Sequence, residues 1–433
     1  RGTYKMNDKL NSVLAINGGK KSIESNFSLY NSIGAEEIKA TNKVIKSGIL
    51  SDFVGAPGKN FLGGKYVQSF ENKFKDQFES DHAISVNSWT SGLIAAVGAI
   101  GIEPGDEVLV TPWTMCASAI SILHWNAIPV FVDIDENTFC MDPEKIVAKI
   151  TNRTKAILVV DIFGQSADMD PILAIAKEHN LKVISDCAQS PGARYKGKLA
   201  GTMGDVGGYS FNYHKHIHTG EGGMIVTNED SIANKCQLIR NHAEAAIVNI
   251  DNADLTNMIG YNFRLGEIES AIGIEQLDKL NNAILSRQRA AKLLTENLRD
   301  IEGLTTPIVR EGCTHVYYFY AMKHCEKITG VSRDAVYEAL VKEGLPFISK
   351  SYQNLHMLPM FIEKQCYGTK HFPWSLNKDV NYEYGEGSCP VAERLNNDEY
   401  LGIFMVGSNF EDHEVDLMIK AIRKVYSNLS ELS

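Results

Sequence analysis

The sequence predicts an α/β fold: a large domain on a mostly parallel sheet of seven strands flanked by helices, followed by a smaller C-terminal α+β domain. Two observations carry this. Between Ala83 and Thr227 short β-branched runs alternate with helical stretches, the pattern of strands joined by crossover helices. From Arg264 to Asn297 helical composition is sustained, after which VYYFYAMK and SRDAVYEALVKEGL indicate a second unit. The expected divisions are an N-terminal arm over 1–30, a large domain over 31–280 and a small domain over 281–433.

Taken in order, the strand candidates are AISVN, EVLVTP, IPVFVDID, KAILVVDIF, LKVISD, VGGYSF and GMIVT. Each is short, apolar and bounded by turn residues. Helices are expected between them at SGLIAAVGAIGI, CASAISILHW, PEKIVAKI and MDPILAIAKEHN. In such sheets ligands collect outside the carboxyl ends of the strands, which here carry the loops NSWTSG and SDCAQS. Tyr352 to Asn397, rich in Tyr, Gly, Asn and Pro, reads as long loops of the kind that shape a substrate pocket.

Composition narrows the function. With 433 residues, 44% hydrophobic, a sizeable core is available, and a formal charge of -10 argues against a nucleic-acid surface, which needs clustered Lys and Arg. The longest apolar runs, such as TKAILVVDIF, are too short for a bilayer. No charged-then-apolar leader is read, so the expected location is cytoplasmic, and the residues ahead of Met6 (RGTYK) are set aside. Eight cysteines are scattered without metal-ligand spacing, so no metal is expected and the thiols read as reduced.

The chemistry concentrates around two residues. Asp186 ends the strand LKVIS and faces the ligand crevice; Lys215 lies between VGGYSF and the turn TGEGG. A lysine amine that captures an aldehyde, opposite a carboxylate that keeps a pyridine nitrogen protonated, is what pyridoxal phosphate requires. Gln189 is placed to reach the ring's phenolic oxygen. A phosphate needs backbone N–H groups at a helix start with hydroxyl donors. Asn87, Ser88, Thr90 and Ser91, ahead of a helix beginning near Gly92, offer these, and equally offer an ordinary N-cap. Ser210, five residues before Lys215, is a second candidate donor. His214, His216 and His218 surround Lys215 in what reads as an exposed loop, where they could lower its pKa or shuttle protons.

In order, GIEPGDEVLVTPWT, PVFVDID, SADMDPI, SDCAQSPGARYKGKLAGTMGDVGGYSF, TGEGGMIVT and GYNFRLGEIESAIGIEQL closely resemble the DegT/DnrJ/EryC1/StrS family of fold-type-I pyridoxal-phosphate sugar aminotransferases. The match spans about residues 69–280, with weaker echoes beyond. It implies a homodimer with shared active sites, PLP and PMP as cofactor forms, Lys215 as the Schiff-base lysine, Asp186 at the pyridine nitrogen and Gln189 at the ring. It further implies that Ser210 and Trp89–Thr90 hold phosphate and that Asn262 reaches it from the partner subunit. Two positions depart from the pattern. Trp89 replaces the usual glycine before the threonine, and Met115 stands where an aromatic usually stacks on the ring; Trp89 or Trp113 could replace that aromatic or simply fill core. The stretch ILSDFVGAPGKNFLG is longer than the family's usual link and reads either as a substrate contact or as a surface excursion.

The function expected from the resemblance is transfer of an amino group, from glutamate, to a keto carbon of a nucleotide-linked deoxysugar. Amination of a keto-cyclitol is the second reading, because SYQNLHMLPMF to CPVAERL is unlike the shorter version in nucleotide-sugar members. A dehydratase of the family carries histidine in place of the lysine, whereas Lys215 stands here. A non-catalytic homologue predicts loss of Lys215, Asp186, Gln189 and Ser210, all of which are present.

Overall fold

A computed structural model describes residues 13–249 and 254–432 of the chain, so RGTYK and the start of the expected 1–30 arm lie outside the described residues. The seven strand candidates all form. They are β1 (His82–Val86), β2 (Glu107–Val110), β3 (Ile128–Phe131), β4 (Thr154–Val160) and β5 (Lys182–Asp186), then, after a hairpin of β6 (Arg194–Tyr195) and β7 (Lys198–Leu199), β8 (Val206–Ser210) and β9 (Gly223–Thr227). One sheet takes the order β1-β9-β8-β5-β4-β2-β3. Only β9 runs against the rest, pairing antiparallel with β1 and β8, while β8, β5, β4, β2 and β3 pair in parallel. Helices cover both faces, which is why runs such as Ala156–Val160 are apolar throughout rather than alternating.

Helices α1 (Ala35–Ser47) and α2 (Lys65–Gln77) precede the sheet; α3 (Trp89–Ala99), α4 (Ala117–His124), α5 (Met169–Glu178) and α6 (Asp230–Arg240) surround it. The helix expected near Gly92 begins three residues earlier, at Trp89, because Ser88 is the N-cap, its Oγ accepting the Ser91 N–H at 3.1 Å. PEKIVAKI is not one helix. It forms two 3₁₀ turns, Pro143–Lys145 and Val147–Lys149, since a short segment with β-branched residues at 146, 147 and 150 gains too few hydrogen bonds to sustain an α-helix.

After the short α7 (Ala243–Ala246), helix α8 (Glu267–Leu298) runs for 32 residues without a break, so residue 280 falls inside it. Leu277 and Leu280 pack under the large sheet; Ala290, Leu294 and Leu298 enter a second core with Leu401, Ile403, Val415 and Ile419. That second core backs an antiparallel sheet of β10 (Leu304–Thr305), β11 (Phe319–His324), β12 (Ile348–Ser349) and β13 (Tyr400–Phe404), ordered β10-β11-β13-β12. Leu14, Ile23 and Phe27 join it, and Glu343 fixes them by accepting the N–H groups of Ala15 at 2.8 Å and Ser22 at 2.9 Å. Among the described residues no helix is long and apolar enough to cross a membrane.

The region 352–397 is more ordered than a set of loops, and most of it lies away from the ligand crevice. It carries short helical turns at Leu355–Met357, Pro359–Ile362, Trp374–Leu376 and Pro390–Arg394. Tyr384 Oη donates to the Pro129 carbonyl on β3 at 2.8 Å, Tyr382 Oη to Glu107 on β2 at 2.7 Å, and Asn377 to the Gly105 carbonyl at 2.9 Å. The segment therefore covers the outer edge of the sheet, where β3 would otherwise present unpaired backbone groups. Only its first residues turn toward the crevice: Asn354 accepts from Trp113 Nε1 at 2.6 Å, and Tyr352 reaches Gln189.

Candidate active site

The carboxyl ends of β1, β2, β4, β5 and β8 open on one side of the sheet, and Asp186, Ser88, Thr90, Ser91, Ser210 and Lys215 sit there or in the loop leaving β8. Asp186 is the last residue of β5 and is buried, at 4% exposure. Trp89 Nε1 donates to its Oδ1 at 2.7 Å, Ser118 Oγ to its Oδ2 at 2.7 Å, and the Ala188 N–H to Oδ1 at 3.2 Å. Burial pushes its pKa up, against the pull of Ser118, Trp89 and Ala188.

Lys215 follows β8 and folds back over the sheet, with its N–H bonded to the Asn212 carbonyl at 2.9 Å. Its side chain is 8% exposed, its Nζ lies 3.4 Å from Tyr318 Oη and 4.4 Å from the centre of that ring. Burial lowers the lysine pKa to about 8, and the Asp186 charge opposes that fall. The three histidines act differently from the sequence expectation. His216 is fully buried, donates from Nε2 to the Val316 carbonyl (2.9 Å) and has its pKa depressed to about 3, while burial brings His214 to about 4. His218 is lowered too, and its Nδ1 accepts the Gly220 N–H at 3.2 Å. Neutral imidazoles cannot lower a neighbour's pKa by charge; desolvation does so here.

Gln189 is held at both ends, its Oε1 accepting the Phe163 N–H at 2.8 Å and its Nε2 donating to Tyr352 Oη at 3.0 Å. Ser210, the last residue of β8, accepts the Asn212 N–H at 3.3 Å. Thr90 lies in the first turn of α3, whose N-terminus points into the same crevice end as Ser210 across β1 and β9. Asn262 borders the loop after β1 with its backbone: its carbonyl accepts from Asn87 at 3.4 Å, while its Oδ1 accepts Arg264 Nε at 2.7 Å. Met115 is 59% exposed, its sulfur turned onto the Ala117 N–H at 3.1 Å. Trp113 is core, stacked on Phe139 at 5.7 Å. The long link after Gly48 packs on the α6 end, where Asn241 donates to the Val54 and Phe61 carbonyls at 2.9 and 3.0 Å and Phe53 covers Arg240.

Four residues of this crevice were not legible as such. Ser118 lies in an apolar helical run, and Tyr318 and Tyr352 come from the far side of the chain. The fourth, Asp161, follows β4 and accepts the Ala167 N–H at 2.9 Å and the Cys187 thiol at 3.2 Å. Burial foremost, with Asp186 adding, pushes it up to about 7. The folded chain thus holds a proton that the unfolded chain releases, so stability falls as pH rises from the ordinary 3.8 to about 7. At about 1.36 kcal/mol for each pH unit, this amounts to a few kcal/mol. Asp161→Asn is expected to flatten that decline, read by urea unfolding of the cofactor-free protein on either side of the window.

A buried amine poised to lose its proton, a buried carboxylate with acceptor capacity left, and a helix start with hydroxyls form a donor set that fits pyridoxal phosphate. The comparisons with known proteins agree. The sequence profile of the DegT/DnrJ/EryC1/StrS aminotransferase family matches residues 32–399. The chain belongs to this family. It is a pyridoxal-phosphate-dependent aminotransferase. Among the family's members, GDP-perosamine synthase of Caulobacter vibrioides is 38% identical over 299 residues, 69% of this chain and 79% of that protein. A putative L-glutamine:3-amino-2,3-dideoxy-scyllo-inosose aminotransferase of Micromonospora echinospora is 31% identical over 429 residues, 97% of this chain and 98% of its own. The solved aminotransferase from Psychrobacter cryohalolentis superposes with a TM-score of 0.79 at 30% identity, over 94% of this chain and all of that one. The Escherichia coli GDP-4-keto-6-deoxy-D-mannose-3-dehydratase with bound hydrated PLP superposes at 0.74 with 25% identity, over 92% of this chain and 99% of its own.

Proposed function

We propose that this aminotransferase moves an amino group from L-glutamate to a keto carbon of a nucleotide-linked deoxysugar, for amino-sugar synthesis. The observation that carries the reading is the desolvated Lys215 amine set in one crevice with the buried Asp186 carboxylate. Lys215 would hold the cofactor aldehyde, Asp186 the pyridine nitrogen, Gln189 the phenolic oxygen through its second Nε2 proton, and Ser210 with Trp89–Thr90 the phosphate. When bound, pyridoxal phosphate supplies an electron sink for the bond broken at the donor's α-carbon. Lys215 Nζ takes the proton from that carbon and later delivers one to the carbon that receives nitrogen. Burial keeps water from the exchange.

A homodimer with shared sites completes this reading. Tyr213 and Met115, at the rim of the crevice, are 71% and 59% exposed, and a second copy would cover them. The partner subunit's Asn262 then reaches the phosphate.

A keto-cyclitol is the second substrate reading, with a specific observation in its favour. The cyclitol aminotransferase relative aligns along 97% of this chain, whereas the GDP-perosamine synthase alignment covers 69%. Reversal is read directly by loading the protein with pyridoxamine phosphate and presenting nucleotide-linked keto sugars and keto-cyclitols. Return of the aldehyde absorption with a nucleotide sugar is expected; return with a cyclitol alone would replace the first reading with the second.

A further inference from the structure

We propose that Trp89 is a positioning residue for Asp186, its indole N–H holding the carboxylate ionised and aimed at the pyridine nitrogen before the cofactor arrives. The inference rests on the cofactor assignment and adds a residue to it. The structure gives the Trp89 side chain a built slot. The indole is 5% exposed. A Cβ on Gly208 would stand 2.2 Å from its Cζ3, and one on Gly92 2.5 Å from its Cε3, so the ring fits only because both positions lack a side chain. Nε1 leaves this slot in one direction, toward Asp186 Oδ1 at 2.7 Å.

An ionised carboxylate offers about four acceptor sites. Trp89 and the Ala188 N–H occupy Oδ1, and Ser118 occupies one site on Oδ2, leaving one direction for an incoming N–H. Bonds to the charged form offset the desolvation that favours protonation. Trp89 is also the first residue of α3, whose free N–H groups are the proposed phosphate site, so one residue ties the two ends of the cofactor site together.

Trp89→Phe keeps the ring in the slot and removes the donor. Cofactor affinity, measured by absorbance titration of the cofactor-free protein, is expected to fall about tenfold or more at neutral pH, the effect of one hydrogen bond to a charged group. The pH at which affinity is lost on acidification is expected to move upward by about one unit, because Asp186 protonates sooner. A residue that only fills space would weaken binding by the same factor at every pH. Ser118→Ala removes the other side-chain donor with little change of volume, and is expected to move the acid limb in the same direction. Unchanged affinity in Trp89→Phe, or a pH-independent loss in both variants, overturns the assignment. Failure of the unaltered protein to bind cofactor removes the proposed function as well, and the two failures are thereby distinguished.

Discussion

Lys215→Ala is expected to abolish amino-group transfer, with a loss of at least about a thousandfold, because the variant lacks the amine proposed both to capture the aldehyde and to move the proton. Stopped-flow absorbance and single-turnover assays with glutamate check this. The unaltered protein should capture the cofactor faster as pH rises toward about 8 and level off above it, as the buried amine loses its proton. The same substitution is expected to stabilise the cofactor-free protein near neutrality. Between about 8 and the ordinary 10.5 the unfolded chain binds a proton that the folded chain does not. Stability therefore rises with pH through that window, and below it the buried charge costs a few kcal/mol, at about 1.36 kcal/mol for each pH unit. The advantage of the alanine variant in thermal unfolding should shrink as pH approaches 10.5.

Asp186→Asn is expected to lower the turnover number about 100- to 1,000-fold, the scale seen when one preorganised electrostatic partner is removed from a buried site. Asparagine can still accept from Trp89, so the fold of the crevice is retained, but no charge remains for the proposed bond to the pyridine proton. Its effect on stability has the opposite sign. Burial raises the Asp186 pKa, so the native protein loses stability as pH climbs through that raised value, and the neutral amide escapes the loss. Slower turnover together with a higher unfolding midpoint at neutral pH is the expected pair of results. Unchanged turnover would remove Asp186 from the cofactor site.

Both predictions concern residues that the sequence makes visible, and the reason is physical. Asp186 ends an apolar strand and Lys215 sits in a glycine-punctuated return loop, so local pattern and crevice position agree. The seven strands were legible because each is a short β-branched run between turn residues. PEKIVAKI has helical spacing yet forms two 3₁₀ turns, because the segment is too brief to overcome nucleation. The role of Trp89 at Asp186 was hidden, since that contact joins residues 97 positions apart and depends on two glycines elsewhere making room. Tyr318 and Tyr352 were hidden likewise: one lies immediately before β11 of the small sheet and the other in a loop-like stretch, and only tertiary packing delivers their hydroxyls to Lys215 and Gln189. The histidines look exposed on paper because a charged and polar string reads as solvated, yet the chain buries His216 completely.

Helix α8 carries a consequence for how the molecule is put together. At about 1.5 Å per residue, its 32 residues make a rod of about 48 Å. One end is cemented into the layer beneath the cofactor crevice and the other into the layer behind the antiparallel sheet. The two halves therefore share a beam rather than a tether, and scission at its midpoint would strand an oily flank on each fragment.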